Sequence, residues 1–180
     1  MRLMMTFALC ALPLAGAAET GQPYAGQQGR DIATLSEADV TAILAGEGWG
    51  LAKPAELSGY PGPAHVLELA EALELTEDQR TQVQRAYDMM RAEAQDAGAA
   101  YVESERHLTR MFRAGHADPE MLATALQSSA AAFARLREVH LAAHLAVTPL
   151  LSDEQKETYA QMRGYDGAAG GTDHQGHAQH

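Results

Sequence analysis

Between Thr76 and Ala114 the apolar residues Val83, Tyr87, Met90, Ala94, Ala97, Tyr101, Leu108 and Met111 recur at alternating steps of four and three, interrupted only by Ser104. That spacing keeps one face of an α-helix apolar. At 1.5 Å per residue such a helix is about 58 Å long, longer than a compact globule of this mass is wide. A second stripe with the same alternation, Leu122, Leu126, Ser129, Phe133, Leu136, His140, Ala143 and Val147, begins after Gly115-His116-Ala117. Asp118-Pro119 supplies its start, an N-cap acid followed by a proline at the first helical position. The expected fold is therefore all-α: an extended antiparallel helical hairpin with shorter helices packed at its open end. Two narrow stripes leave apolar flanks uncovered, which predicts a homodimer.

Both ends of the open side carry the same phrase, Leu75-Thr76-Glu77-Asp78-Gln79 and Leu151-Ser152-Asp153-Glu154-Gln155. Each reads as a capping box, in which the hydroxyl accepts the backbone N–H three residues on and the glutamine reaches back to the N-cap N–H. The acids between them sit in the first turn, where the helix dipole favours negative charge. Leu35-Ser36-Glu37-Ala38-Asp39 is a looser third instance, opening a short helix that Gly46 and Gly48 stop; there Leu35 can meet Val40 as a hydrophobic staple. Pro63 introduces a further helix expected over Ala64 to Glu74, and Pro149 interrupts the chain before Ser152 caps a last helix to about Arg163.

The remainder divides by composition. Met1-Arg2, the apolar run Leu3 to Leu14 and the small-residue exit Ala15-Gly16-Ala17-Ala18 have the form of a secretory signal peptide over 1–18, too short to span a bilayer stably. Residues 19–34 read as a flexible lead-in, 35–163 as the helical domain, and the Gly- and His-rich 164–180 as a disordered tail. Cys10, the only cysteine, lies in the leader, so disulfides, thiolate metal sites and cysteine catalysis are not expected of the exported chain. A formal net charge of −11 argues against nucleic acid or anionic lipid as a partner. The loop from Trp49 to Pro63 is rich in Gly and Pro and holds the one Trp; its expected role is to cover a core edge.

The paired phrases, each led by a leucine, with a striped hairpin between them and an export signal in front, resemble the LTXXQ family of periplasmic stress proteins. That family includes the Spy and CpxP chaperones and related heavy-metal resistance and sensor proteins. The resemblance covers roughly residues 65 to 163, and Ser152 stands where the motif has Thr, a change that preserves the capping chemistry. It implies a periplasmic, ATP-independent chaperone or envelope-stress protein, whose dimeric hairpins cradle unfolded or misfolded periplasmic proteins and need no cofactor. Met89, Met90, Met111 and Met121 suit such adaptable contact, although a Met on a helical seam also serves as plain core. A hairpin that docks on a membrane sensor protein is a further, purely structural reading.

The alternative is a periplasmic heavy-metal sensor or buffer. His140 and His144 stand one helical turn apart, a spacing that suits zinc, nickel, cobalt or copper(II). Leu141 occupies the place where the zincin protease motif needs Glu, and no nucleophile, phosphate loop or carboxylate pair supports an enzyme. Antiparallel register brings Asp88 and Met90 to the height of these histidines as additional ligands, and places His107 too far along the hairpin to join. His140 can equally be a core histidine. The metal-sensing branch of the resembled family places a His-x-x-x-His or His-x-x-x-Met pair before the second motif and draws further ligands from an earlier helix, where His65 and Glu68 are candidates that spacing leaves open. His174, His177 and His180 form a looser tract, read either as a weak metal trap or as a solvated terminus.

Overall fold

The computed structural model describes residues 22–165, whose regular elements are all helices, with no strand among them. The order is α1 (Glu37–Leu44), α2 (Lys53–Glu56), α3 (Pro63–Glu68), α4 (Glu77–Arg113), α5 (Pro119–Val147), a 3-10 turn (Thr148–Leu150) and α6 (Asp153–Met162). The hairpin is α4 against α5. All three capping boxes form: Thr76 with Gln79, Ser152 with Gln155, and Ser36 with Asp39. Asp118 accepts from the N–H groups of Glu120 and Met121. At the turn Gly115 takes φ +69, and His116 N–H bonds back to the Met111 carbonyl, the left-handed cap that glycine adopts without a Cβ penalty.

Two clusters make the core. One, at the open end, joins Val66, Leu73, Val83, Val147, Leu151 and Tyr159, so that α3 and α6 close the base of the hairpin. The other lies halfway along and joins Ile32, Leu35, Ile43, Leu51, Val102 and Leu136. Here the architecture differs from a hairpin capped only at its base, because α1 packs along the flank of α4. Gly98 permits this: a Cβ at that position would lie 2.7 Å from the Ile43 carbonyl oxygen. The buried line on α4 accordingly runs through Ala94, Gly98, Val102, Glu105 and Thr109, rotated from the stripe expected through Tyr101 and Leu108. On α5, Leu126 is 50% exposed and Ala125 is buried in its place.

The lead-in expected to be flexible over 19–34 is held at its described end. Ile32 and Leu35 are buried; Ala33 N–H donates to Thr109 Oγ1 at 3.1 Å, and Thr34 Oγ1 donates to Glu105. The Arg113 guanidinium binds the carbonyls of Gln28, Arg30 and Asp31. The loop after α1 does cover the core edge: Trp49 packs on Tyr101 with ring centroids 6.3 Å apart, and its indole N–H donates to Asp39 Oδ1 at 2.9 Å. The helix expected from Ala64 to Glu74 stops at Glu68 and continues as turns. They end with Glu74 at φ +48 and Leu75 N–H bonded to the Ala70 carbonyl, the reversal that lets Thr76 start α4.

Candidate functional site

Cap chemistry at the base of the hairpin reaches further than two helix starts. Gln79 Nε2 donates to Gln155 Oε1 at 2.9 Å, and Gln155 Nε2 donates to Gln79 Oε1 at 3.1 Å. Each amide also donates to a carbonyl of the opposite strand of chain, Gln79 to Leu150 at 2.8 Å and Gln155 to Leu73 at 3.0 Å. Every donor and acceptor of the pair is used, since each Oε1 also accepts its own N-cap N–H. Leu75, Thr76 and Gln79 are thereby joined to Leu151, Ser152 and Gln155 in one clasp, which sets how α4 and α6 meet.

Above this clasp, α3, α4, α5 and the loops after α1 and before α3 surround a cavity of about 540 Å³ whose wall includes His65, Glu68, Met90, His140 and His144. His140 is 2% exposed, and its Nε2 is buried with no hydrogen-bond partner. Burial, followed by the neighbouring His144, pushes the His140 pKa below the ordinary histidine range, so the imidazole is neutral. His144 Nδ1 lies 2.7 Å from the Tyr60 carbonyl oxygen. A carbonyl only accepts, so Nδ1 carries a proton and donates to it. Gly62 fits against this ring: a Cβ there would lie 2.6 Å from His144 Cε1 and 2.7 Å from Nε2.

Glu56 sits behind both outer histidines. Its Oε1 lies 3.4 Å from His65 Nδ1 and its Oε2 3.7 Å from His144 Nδ1. The hydroxyls of Tyr159 and Tyr165 both donate to Oε1, and Arg163 Nε lies 3.4 Å from it. Burial and then the Glu56 hydrogen bond push the Tyr159 phenol far above its usual range, so it stays a donor. Among the described residues four buried side-chain polar atoms lack a partner, and three belong to this cluster: Glu56 Oε2, His140 Nε2 and Arg163 Nε. Unpaired buried polar atoms are costly and rare, and three of these four fall in one cluster around Glu56 and the histidines.

The structure thus brings together His140, His144 and Met90 from the sequence-derived set, together with His65 and Glu68. It does not bring in Asp88, which is exposed on α4 and accepts from Gln84 Nε2 at 2.9 Å; Tyr87 and Arg91 line the cavity on that side. Antiparallel register sets height along the hairpin, whereas rotation about the helix axis decides which neighbour points inward. Glu56, Tyr159, Arg163 and Tyr165 escaped sequence reasoning because they lie on a four-residue helix and at the end of α6, with no periodicity to join them to α5. His107 lines a separate groove near the hairpin tip with Asp118 and Met121. His174, His177 and His180 lie outside the described residues.

Imidazoles, two of them beside the Glu56 carboxylate and one also against a carbonyl, with a thioether and a second carboxylate nearby, are donor types that suit zinc, nickel, cobalt or copper. As the side chains stand, no three His, Cys, Asp or Glu among the described residues converge as a metal-holding group. Closing the set takes rotation of cavity-wall side chains. A second groove of about 430 Å³ runs along the hairpin, lined by Ala86, Met89, Ala146 and Leu150 and by the charged Arg85, Glu93 and Arg135, and it shares Met90 with the cavity. Met89 there is 64% exposed.

Among the described residues no helix is long and apolar enough to cross a membrane. Comparison with curated proteins and with solved structures gives no significant match. The sequence profile described as the LTXXQ motif family protein matches residues 64–163, which takes in both motif phrases, the whole hairpin, and His65, Glu68, His140 and His144. The chain belongs to the LTXXQ motif family.

Proposed function

We propose that this chain is a periplasmic stress protein that binds one divalent transition-metal ion in the cavity between α3 and α5. His140 and His144 are the principal ligands, and His65, Glu68 and Met90 are the side chains able to complete the set. The observation that carries this reading is His140, a wall residue of that cavity whose ring is neutral and whose buried Nε2 has no hydrogen-bond partner. Left unpaired, a buried ring nitrogen costs about 1–3 kcal/mol, whereas a metal ion binds such a nitrogen in its deprotonated form. Glu56 and the Tyr60 carbonyl act behind the ligands, fixing the tautomer and ring orientation of His65 and His144. A chelator-competition titration with zinc(II), nickel(II) and copper(II) tests this. One ion per chain is expected, with tight binding abolished by His140→Ala combined with His144→Ala; binding unchanged by that pair of substitutions refutes the site.

The groove along the hairpin favours a second capacity. Met89, Ala146 and Leu150 present adaptable apolar surface, the kind that holds unfolded polypeptide without nucleotide. It is equally the flank that a second copy of the chain would cover in a homodimer. Slowed aggregation of an unfolded substrate, independent of ATP and weakened by Met89→Ser, is the expected result. Failure with several unrelated substrates removes the chaperone reading and leaves the metal reading intact.

A further inference from the structure

We propose that the side chains of α4 between Glu105 and Arg113 form a binding site for an extended polypeptide segment, which the chain's own residues Gln28 to Leu35 occupy in cis and which a segment of an unfolded protein takes in their place. This deepens the unfolded-polypeptide reading above and rests on it for the partner, while the metal reading does not enter. Residues Asp31 to Leu35 precede α1 and make no backbone–backbone hydrogen bond among the described residues. Side chains of α4 serve instead. The Arg113 guanidinium donates to the carbonyls of Gln28, Arg30 and Asp31, and Thr109 Oγ1 accepts the Ala33 N–H at 3.1 Å. These bonds read main chain, which every polypeptide carries, and so set no sequence requirement.

Selectivity comes from side chains of the segment. Ile32 and Leu35 are 2% and 4% exposed and join the cluster that holds Val102 and Leu136, and Asp31 pairs with Arg106 at 2.9 Å. An incoming segment therefore suits the site when an acid is followed directly by an aliphatic residue, with a second aliphatic residue three positions further on, as Leu35 follows Ile32. Glu105 supplies one more acceptor. It is buried, and its Oε1 accepts from Ser129 and its Oε2 from Thr34. Departure of the segment frees Oε2 for an N–H or hydroxyl of the visitor. Nothing beyond the segment need unfold, because Ser36 and Asp39 close the capping box of α1 without it and α1 is held on α4 separately, at Gly98. The bonds from Arg106 and Arg113 lie at the exposed surface, where local opening starts.

The test titrates a fluorescein-labelled peptide of residues 27–35 with the full chain and follows fluorescence anisotropy. In wild type the built-in segment competes, so the apparent affinity is reduced by the fraction of molecules in which it is undocked. Ile32→Asp puts a charge in the buried position and favours release of the segment. That variant should bind the peptide at least about tenfold more tightly than wild type, and a peptide of the same composition with its Ile and Leu adjacent should not bind. Adding Thr109→Val and Arg113→Ala to Ile32→Asp should abolish binding. Asp31→Lys, an exposed change opposite Arg106, should shift affinity in the same direction and serves if Ile32→Asp loses its helical circular dichroism. Reduced, carboxymethylated α-lactalbumin, an unfolded protein, should speed hydrogen exchange at the Ala33 amide of wild type and leave the α4 amides protected. Equal peptide affinity in wild type and the released variants, or binding that survives Thr109→Val with Arg113→Ala, overturns the proposal. If Met89→Ser removes aggregation suppression while Ile32→Asp leaves peptide affinity unchanged, the chaperone reading stands and this site falls. Tight peptide binding with no effect of wild type or Ile32→Asp on aggregation removes the unfolded protein as visitor, and the proposal with it.

Discussion

Gln79 and Gln155 face one another across the base of the hairpin and exchange amide hydrogen bonds in both directions. Each is also the capping residue of its own helix. One residue type at one spacing therefore performs two tasks, local helix initiation and long-range clasping, and the two copies of the phrase require each other.

Breaking that pair should show the coupling. Gln79→Ala and Gln155→Ala each strand the partner amide as well as a cap N–H, so each should destabilise by about 1–2 kcal/mol, close to the cost of a lost cap plus an unpaired polar group. The double variant should cost less than the sum, with an interaction energy of at least about 0.5 kcal/mol. Urea unfolding of the four proteins measures this, and strict additivity would show two independent caps.

Gly62 is expected to matter for binding more than for folding. Its missing Cβ leaves room for the His144 imidazole, so Gly62→Ala should push the ring off the Tyr60 carbonyl. Metal affinity should fall about tenfold or more, as for loss of an outer-shell partner, while circular dichroism retains the helical signal. An unchanged affinity would mean that His144 is not a ligand.

His140→Leu separates function from packing. If Nε2 is held unpaired for a ligand, the apolar substitution removes an unsatisfied buried group and the metal-free protein should be as stable or up to about 1 kcal/mol more stable. Metal binding should be lost in the same variant. A large loss of stability in the chelator-treated protein would show His140 to be a core residue.

Acid should weaken the metal-free fold through His140. Its folded pKa lies below the unfolded value, because burial and then His144 disfavour the charged ring. The unfolded state therefore binds the proton first, and stability present above about pH 6.5 declines as pH falls below it. Denaturation midpoints of chelator-treated protein between pH 7.5 and about 5 should show this decline, and His140→Leu should flatten it. A midpoint in wild type that rises on acidification contradicts the assignment.

Much of the hairpin was legible because caps and heptad spacing are local. Thr76, Asp118 and Ser152 start their helices as read, and Gly115 ends α4 where its sequence places it. The flank position of α1 was not legible, because it depends on a close backbone approach at Gly98 that a stripe of apolar residues passes over. Of the site, the pair on α5 could be read from a four-residue step. Asp88 was misplaced because register carries no rotation, and Glu56 was missed because only folding brings α2 against the histidines of α3 and α5.

The most direct test of the central claim is anomalous diffraction from crystals of the zinc(II)- or nickel(II)-loaded protein. The account predicts one peak between α3 and α5, within coordination distance of His140 and His144, about 2.0–2.2 Å, with Glu56 held behind them. A peak elsewhere on the domain with this cavity empty, or no ordered metal at saturating concentration, would contradict it.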